Sequence, residues 1–303
     1  MKKNYNSING WINLTKPLGI TSADAVNKVK YLLKPQKIGH AGTLDPLATG
    51  VLPLALGEGT KCVNLLMDAK KIYEFAVTFG ERRTTDDAEG EVTTTCTHIP
   101  TAAQLQAALP AFTGDIMQLP PIYSALKVGG KRSYDLARAG EQVVLQPRPV
   151  TIYALELLGF TSPMTAEFRA TVSKGTYIRS LGRDLAQAAG SEGYISRLHR
   201  AAVGPFTDTY AISLDFLAES VHKATLSGDP TIPGLTPLEA ALDDIPALAL
   251  SDGQWNQLRH GQRATLTTPH PDAPQIAVTY AGALMGLARV EGNQVISTRL
   301  FVT

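Results

Sequence analysis

Gly39-His40-Ala41-Gly42-Thr43-Leu44-Asp45-Pro46-Leu47-Ala48-Thr49-Gly50 runs on through Val51-Leu52-Pro53-Leu54 to Gly57-Glu58-Gly59-Thr60-Lys61. Asp45 is the single acid between His40 and Leu56. Around it stand glycines, small hydroxyls and apolar side chains. Pro46 removes a backbone donor and biases Asp45 toward an extended or turn conformation. Gly39, Gly42 and Gly50 allow backbone geometry or close approach that a Cβ would forbid. A carboxylate on a glycine-rich turn, with no neighbouring acid to share its proton, is a candidate nucleophile or base. The plainer reading, an Asx turn or helix cap, fits an arbitrary Asp-Pro equally well. The rest of the chain decides between them.

The 303 residues suffice for one large domain or two. Lys and Arg total 28 and Asp and Glu 27, so net charge names no partner, but the distribution is uneven. Residues 1–38 hold seven lysines and one acid, Asp24. Residues 126–148 and 174–200 each hold five bases and two acids, and 217–252 inverts the sign with six acids and one base. Brought together by folding, the basic segments would make an electropositive face suited to nucleic acid. Cys62 and Cys96 are far apart with no CxxC spacing, which argues against a zinc site or disulfide framework, and Cys62 lies in an apolar run. No long apolar run follows the N-terminus, so neither a secretory signal nor a membrane span is expected, and a cytoplasmic protein is the default.

Trp11-Ile12-Asn13-Leu14 reads as a strand, and Thr21 or Ser22 can cap a helix whose apolar face is Val26, Val29, Leu32 and Leu33 and which Pro35 ends. Residues 72–80 alternate, with Tyr73, Phe75, Val77 and Phe79 on one face. Residues 82–91 read as a polar loop, and a helical pattern begins at Thr101. The prolines of Leu119-Pro120-Pro121-Ile122 exclude a regular helix start or central strand there. The basic segment after them, with its tyrosines, suits phosphates and base stacking. Residues 150–160 and 166–172 read as strands, Gly175 breaks the second, and 178–189 has helical composition. Tyr177 and Arg179 thus fall at a strand-to-helix junction. Residues 194–200 read as another strand. The acidic 213–252 region reads as helix and loop. From 248 on, a short helix ending at Gly261 and strands at 276–279, 285–290 and 295–302 read as a small β module of barrel type.

Taken in order, these motifs resemble the TruB family of tRNA pseudouridine synthases. The match rests on the stretch around Asp45, on Lys16-Pro17-Leu18-Gly19-Ile20-Thr21-Ser22, on Pro120-Pro121-Ile122-Tyr123-Ser124-Ala125-Leu126-Lys127 and on Gly175-Thr176-Tyr177-Ile178-Arg179-Ser180-Leu181. The tail resembles the small RNA-binding module called PUA. The resemblance implies an α+β fold: a catalytic domain over 1–246, built on an antiparallel or mixed sheet with flanking helices, and a small β-barrel-like PUA module over 247–303. It implies an arm at about 121–150 that moves onto RNA. It implies isomerisation of uridine 55 in the TΨC loop of tRNA to pseudouridine, with no cofactor and no metal, by a monomer whose partner is the TΨC stem-loop. By resemblance the catalytic aspartate falls on Asp45, Arg179 pairs with it, and Tyr73 stacks on the target base and serves in proton transfer at C5. Tyr177 and Leu198 line the uracil pocket, His40 contacts RNA, and Lys16 supports the pocket near the tyrosine strand. The 1–9 extension and the acidic 213–252 region match no motif.

Two other classes compete. An RNA-binding or tRNA-folding protein with a vestigial site would share the basic face, but the set Asp45, Tyr73 and Arg179 is intact. A retaining glycosidase would need a second carboxylate as acid, and the motif stretches supply none. Because 248–303 carries none of the residues assigned to chemistry, its removal is expected mainly to weaken RNA binding.

Overall fold

The computed structural model describes residues 6–124, 126–141, 143–227, 231–243 and 245–301. In chain order the elements are β1 (Gly10–Lys16), α1 (Ser22–Leu33), β2 (Ile38–His40), β3 (Ala48–Leu56), α2 (Val63–Asp68) and β4 (Lys71–Phe79). Then come β5 (Glu81–Arg83), β6 (Val92–Thr95), α3 (Ala102–Ala108), β7 (Gly114–Gln118), β8 (Lys127–Val128), β9 (Lys131–Arg132) and α4 (Ser133–Arg138). The long strands β10 (Arg148–Ser162) and β11 (Thr165–Val172) lead to α5 (Ile178–Ala188), β12 (Gly193–Val203), β13 (Phe206–Thr207), α6 (Leu214–Ser227) and β14 (Leu235–Thr236). The chain closes with β15 (Ala247–Ala249), α7 (Asp252–Arg259), β16 (Ala264–Thr265), β17 (Ala273–Tyr280), β18 (Ala283–Glu291) and β19 (Gln294–Leu300).

Local chemistry fixes many of these boundaries. Thr21 caps α1 in a reciprocal box with Asp24, and Lys34, at φ 48°, turns the chain out of the helix ahead of Pro35. Asn6, in the extension that sequence left unread, donates from its backbone to Lys34 O and from its side chain to Leu33 O, each at 2.8 Å. Those are carbonyls that a helix end leaves without partners. Thr101 with Gln104 and Ser251 with Gln254 form the same box at α3 and α7. On β4 the alternation holds: Phe75, Val77 and Phe79 are buried, and Phe75 stacks on Phe168, its partner in register on β11, at 5.5 Å between ring centres.

Among the described residues ten strands form one sheet, in the order β14-β1-β3-β12-β4-β11-β10-β7, with β2 added on β3 and β13 on β12. Every pairing is antiparallel except one: β12 runs parallel to β3, with Leu198 opposite Ala48 and Arg200 opposite Gly50. At this switch the chain leaving Asp45, the Tyr73 strand and the Leu198 strand come side by side. Helices α1, α3, α5 and α6 contribute to a core that includes Leu52, Leu54, Phe75, Phe168, Leu181, Leu185 and Leu217.

Two readings need adjustment and one strand went unread. Residues 82–91 are not simply a polar loop: β5 and β6 pair across them, and Asp86 and Asp87 are buried beneath the turn. Strand β7 has no period of two strong enough to see, yet it closes the sheet edge beside β10. The tail is more than an RNA-binding appendage. Its sheet, in the order β15-β17-β18-β19-β16, has its own core, but Ala277, Leu284, Leu287 and Phe301 pack into a second cluster with Trp11, Val51, Ala55, Val203 and Phe206. Lys61 Nζ adds a 2.8 Å hydrogen bond to Leu300 O. Burial of Leu284, Leu287 and Phe301 is worth roughly 1.5–3 kcal/mol each. Removal of 248–303 is therefore expected to lower Tm by about 10 °C or more, besides weakening RNA binding. A thermal melt of the truncated chain checks this; an unchanged Tm would show that the shared cluster contributes nothing.

Candidate active site

The turn between β2 and β3 presents Asp45 and is pinned along its length. Ser22 Oγ receives the Leu44 N–H at 2.8 Å and donates to Leu44 O at 3.0 Å. Lys16 Nζ donates to Pro17 O at 2.9 Å, Ile20 O at 2.8 Å and Pro46 O at 3.4 Å. Gly19 N also donates to Pro46 O, and Ala48 N to Asp45 O. The Asp45 side chain remains 38% exposed at the end of this braced loop. Lys16 is fully buried, and burial pushes its pKa down to about 8 against the opposing pull of Asp45. Two of its three hydrogen bonds hold the Pro17–Ile20 bend after β1 and the third reaches the Asp45 turn at Pro46; the Tyr73 strand lies three positions along the sheet from β1.

Arg179, on the first turn of α5, reaches the same carboxylate: Nε stands 3.0 Å from Asp45 Oδ2. Its side chain is only 7% exposed and the remaining fork is occupied. Nη1 donates to Thr85 O at 3.1 Å and faces Asp87 Oδ2 at 3.6 Å, and Nη2 donates to Tyr123 O at 2.9 Å. Asp87 in turn accepts from Thr85 Oγ1 and from Glu89 N. Next to it Arg183 Nη1 donates to Asp86 Oδ2 at 2.8 Å. Burial raises the Asp86 pKa, and Arg183 opposes that shift. The guanidinium of Arg179 is thus a fixed cation held between an accessible carboxylate and a buried one.

A cavity of about 670 Å³ opens over this pair. Tyr73, Tyr177 and Leu198 line it together with Asp45 and Arg179. Leu198 lies opposite Phe75 on β4, and Tyr73 opposite Arg200 on β12, so the floor is set by strand register. Tyr177 is the cap residue of α5, and Gln118 clamps its backbone: Tyr177 N donates to Gln118 Oε1 at 2.8 Å and Gln118 Nε2 to Tyr177 O at 3.1 Å. Burial raises the Tyr177 pKa, so its hydroxyl stays protonated. Ser124, Leu126 and Arg148 close the cavity from the 121–150 segment. The size and the mixed apolar and polar lining suit a small organic ligand larger than a single ring.

Two named residues stand outside the cavity wall, Lys16 behind the turn and His40 on β2 opposite Leu54. His40 is half-buried, and its Nδ1 has no hydrogen-bond partner. Burial, with the charge of Arg200, pushes its pKa down, so the ring is neutral near pH 7. Sequence reasoning missed Asp87, Lys71 and Arg200. Asp87 looked like one of several loop acids. Lys71 is buried at the cavity edge with Nζ on the carbonyls of Leu66, Met67 and Ala69, where burial pushes its pKa down to about 8. A period of two through β12 puts Arg200 on the same face as Leu198, the signal that could have found it.

Among the described residues no group of His, Cys, Asp and Glu could hold a metal ion, and no helix is long and apolar enough to cross a membrane.

Residues 30–178 match the sequence model of the TruB family pseudouridylate synthase N-terminal domain. The tRNA pseudouridine synthase B of Nitrobacter winogradskyi is 45% identical over 99% of this chain and 84% of its own length. That of Gluconacetobacter diazotrophicus is 46% identical over 96% of this chain and 94% of its own. Among solved structures, the archaeal box H/ACA sRNP Nop10-Cbf5 complex contains a chain that superposes with a TM-score of 0.74 at 25% identity, over 97% of this chain and 86% of that one. A chain of an H/ACA RNP bound to a substrate RNA containing 2'-deoxyuridine shares the fold at a TM-score of 0.76 and 24% identity, over 97% and 85% of the two chains.

Proposed function

The chain belongs to the TruB family of pseudouridylate synthases, an isomerase acting on tRNA, and from that premise we propose that it converts uridine 55 of the TΨC loop with Asp45 as its nucleophile. The observation that carries the proposal is the 3.0 Å contact between Arg179 and an Asp45 carboxylate that remains exposed to the cavity.

The uridine leaves its stack to reach the cavity, at a cost of a few kcal/mol. Its base lies between Tyr73 and Leu198, with Tyr177 at the side. Asp45, held beside Arg179, attacks covalently; the N-glycosidic bond breaks and the uracil turns over. C5 then bonds to C1′ as the bond to Asp45 is released, N1 takes up a proton and C5 loses one, with Tyr73 placed to take part in the transfer at C5. Asp87 cannot serve as a glycosidase-type acid, because it is buried and already bound by Thr85, Glu89 and Arg179. Lys16 braces the loop and His40 meets the RNA beside the turn. The 121–150 segment folds down onto the RNA, 1–246 forms the catalytic domain, and 247–303 is a PUA-like module. The protein works in the cytoplasm as a monomer, with no cofactor or metal.

Tritium release from tRNA carrying 5-tritiated uridine tests the function, and mapping the product tests the position. RNA binding is expected to weaken steeply with salt, each phosphate contact adding roughly −0.7 to −0.9 to the log–log slope. A slope near zero by filter binding would show that the basic segments do not form the RNA face.

A further inference from the structure

Arg200 has no part in the chemistry above, yet it is 1% exposed and lines the cavity floor. Its partners are two backbone carbonyls: Nε donates to Val51 O at 2.8 Å and Nη2 to Gly42 O at 3.0 Å. No carboxylate pairs with it among the described residues, whereas Arg179 and Arg183 both have acids. A buried cation with only carbonyls for partners is a poor source of stability.

Its position explains two glycines of the Asp45 stretch. Arg200 stands opposite Gly50 across the parallel junction, and a Cβ on Gly50 would meet the Arg200 carbonyl oxygen at 2.3 Å and its nitrogen at 2.8 Å. Gly42, at φ +101°, lies under the guanidinium, where a Cβ would come within 3.3 Å of Nη1. The two carbonyls it grips lie on either side of Asp45, one on the turn and one on β3. Ser22 fixes Leu44 and Lys16 fixes Pro46; the Gly42 end of the turn is held by Arg200. Lys16, His40 and Lys71 all feel its charge, as a cation at the centre of the floor requires.

We propose that Arg200 is a positioning residue: by clamping Gly42 O and Val51 O together it sets where the Asp45 carboxylate stands relative to the bound nucleotide. Lysine keeps the charge but replaces a rigid fork, which reaches Val51 O and Gly42 O from two separate nitrogens, with one point-like ammonium on a flexible stem, so the spacing of the two carbonyls is no longer set. The loss should fall on the chemical step rather than on binding, since a misplacement of ~1 Å costs about 100-fold in rate.

The inference rests on the proposed function, so the full chain is first shown to form pseudouridine in a tRNA transcript; failure there removes the function and not this clamp alone. Arg200→Lys and Gly42→Ala are then compared with the parent in Tm, tRNA Kd and single-turnover rate at saturating enzyme. The expected result is about a 100-fold slower single turnover for Arg200→Lys with Kd within about threefold, and a slowing in the same step for Gly42→Ala. In the double variant the combined fold-loss should be smaller than the product of the two single losses, because they disturb one contact. A folded Arg200→Lys that reacts near the parent rate, or one whose whole loss is in Kd, overturns the proposal. If Arg200→Lys does not fold, Arg200→Gln decides, because its amide can hold one carbonyl but not both: slowed chemistry with intact Kd supports the clamp, and an unchanged rate overturns it.

Discussion

Asp45→Asn should abolish pseudouridine formation while leaving the fold and tRNA affinity in place. The turn that presents Asp45 is braced by Ser22 and Lys16 through backbone atoms, which an isosteric amide does not disturb. Arg179 keeps Asp87 and two carbonyls when the Asp45 charge is lost. The side chain is 38% exposed, so its charge is partly screened in the free protein. One uncharged replacement therefore changes ground-state binding by ~1.4 kcal/mol or less, within about tenfold in Kd. The amide has no anionic oxygen to form the covalent bond, and turnover should drop below detection. Binding by gel shift and product formation on the same preparation check this. Measurable pseudouridine from the purified variant would remove Asp45 as nucleophile.

Arg179→Lys should be nearly as damaging to chemistry. The guanidinium contacts four groups at once, Asp45 at 3.0 Å, Asp87 at 3.6 Å, Thr85 O at 3.1 Å and Tyr123 O at 2.9 Å. An ammonium on a flexible stem satisfies one or two of them. Loss of the oriented cation should lower the single-turnover rate by about 100-fold or more. The geometry adds a second expectation. Thr85 O and Tyr123 O lose their donor, and Asp87 loses its guanidinium partner, which costs about 1–3 kcal/mol of stability. Rates must therefore be compared well below the lowered Tm, with tRNA affinity nearly kept. A purely structural role predicts activity reduced only in proportion to the unfolded fraction. A variant that melts normally and reacts near the parent rate would take Arg179 out of the site.

Much of this was legible because local chemistry and final position agree. The alternation through Phe75, Val77 and Phe79 survives as a buried strand face, and Thr21 with Asp24 marks the start of α1 as sequence suggests. Asp45 stood out as a lone acid among glycines. Arg179 could be placed at a strand-to-helix junction, but its partner there came only from the family resemblance. What stayed hidden depends on partners distant in the chain. Asp86 and Asp87 have the composition of a solvated turn; only the approach of Arg179 and Arg183, nearly a hundred residues away, makes them buried acids. The parallel pairing of β3 with β12 has no signature in either strand, so Arg200 and the glycines beneath it could not be connected. The acidic region contributes β14 to the sheet edge through two residues, Leu235 and Thr236, too few to show a period. The tail's apolar residues serve two cores at once, a division that hydropathy along the strand does not encode.

The most direct measurement is tritium release from a tRNA transcript labelled at uridine C5, run with the parent chain and with Asp45→Asn, and followed by mapping of the modified position. The account predicts release from the parent that approaches one tritium per tRNA, pseudouridine confined to position 55, and no release from Asp45→Asn although it binds the same transcript. A folded, tRNA-binding parent that releases no tritium, or an Asp45→Asn variant that releases a measurable amount, would contradict it.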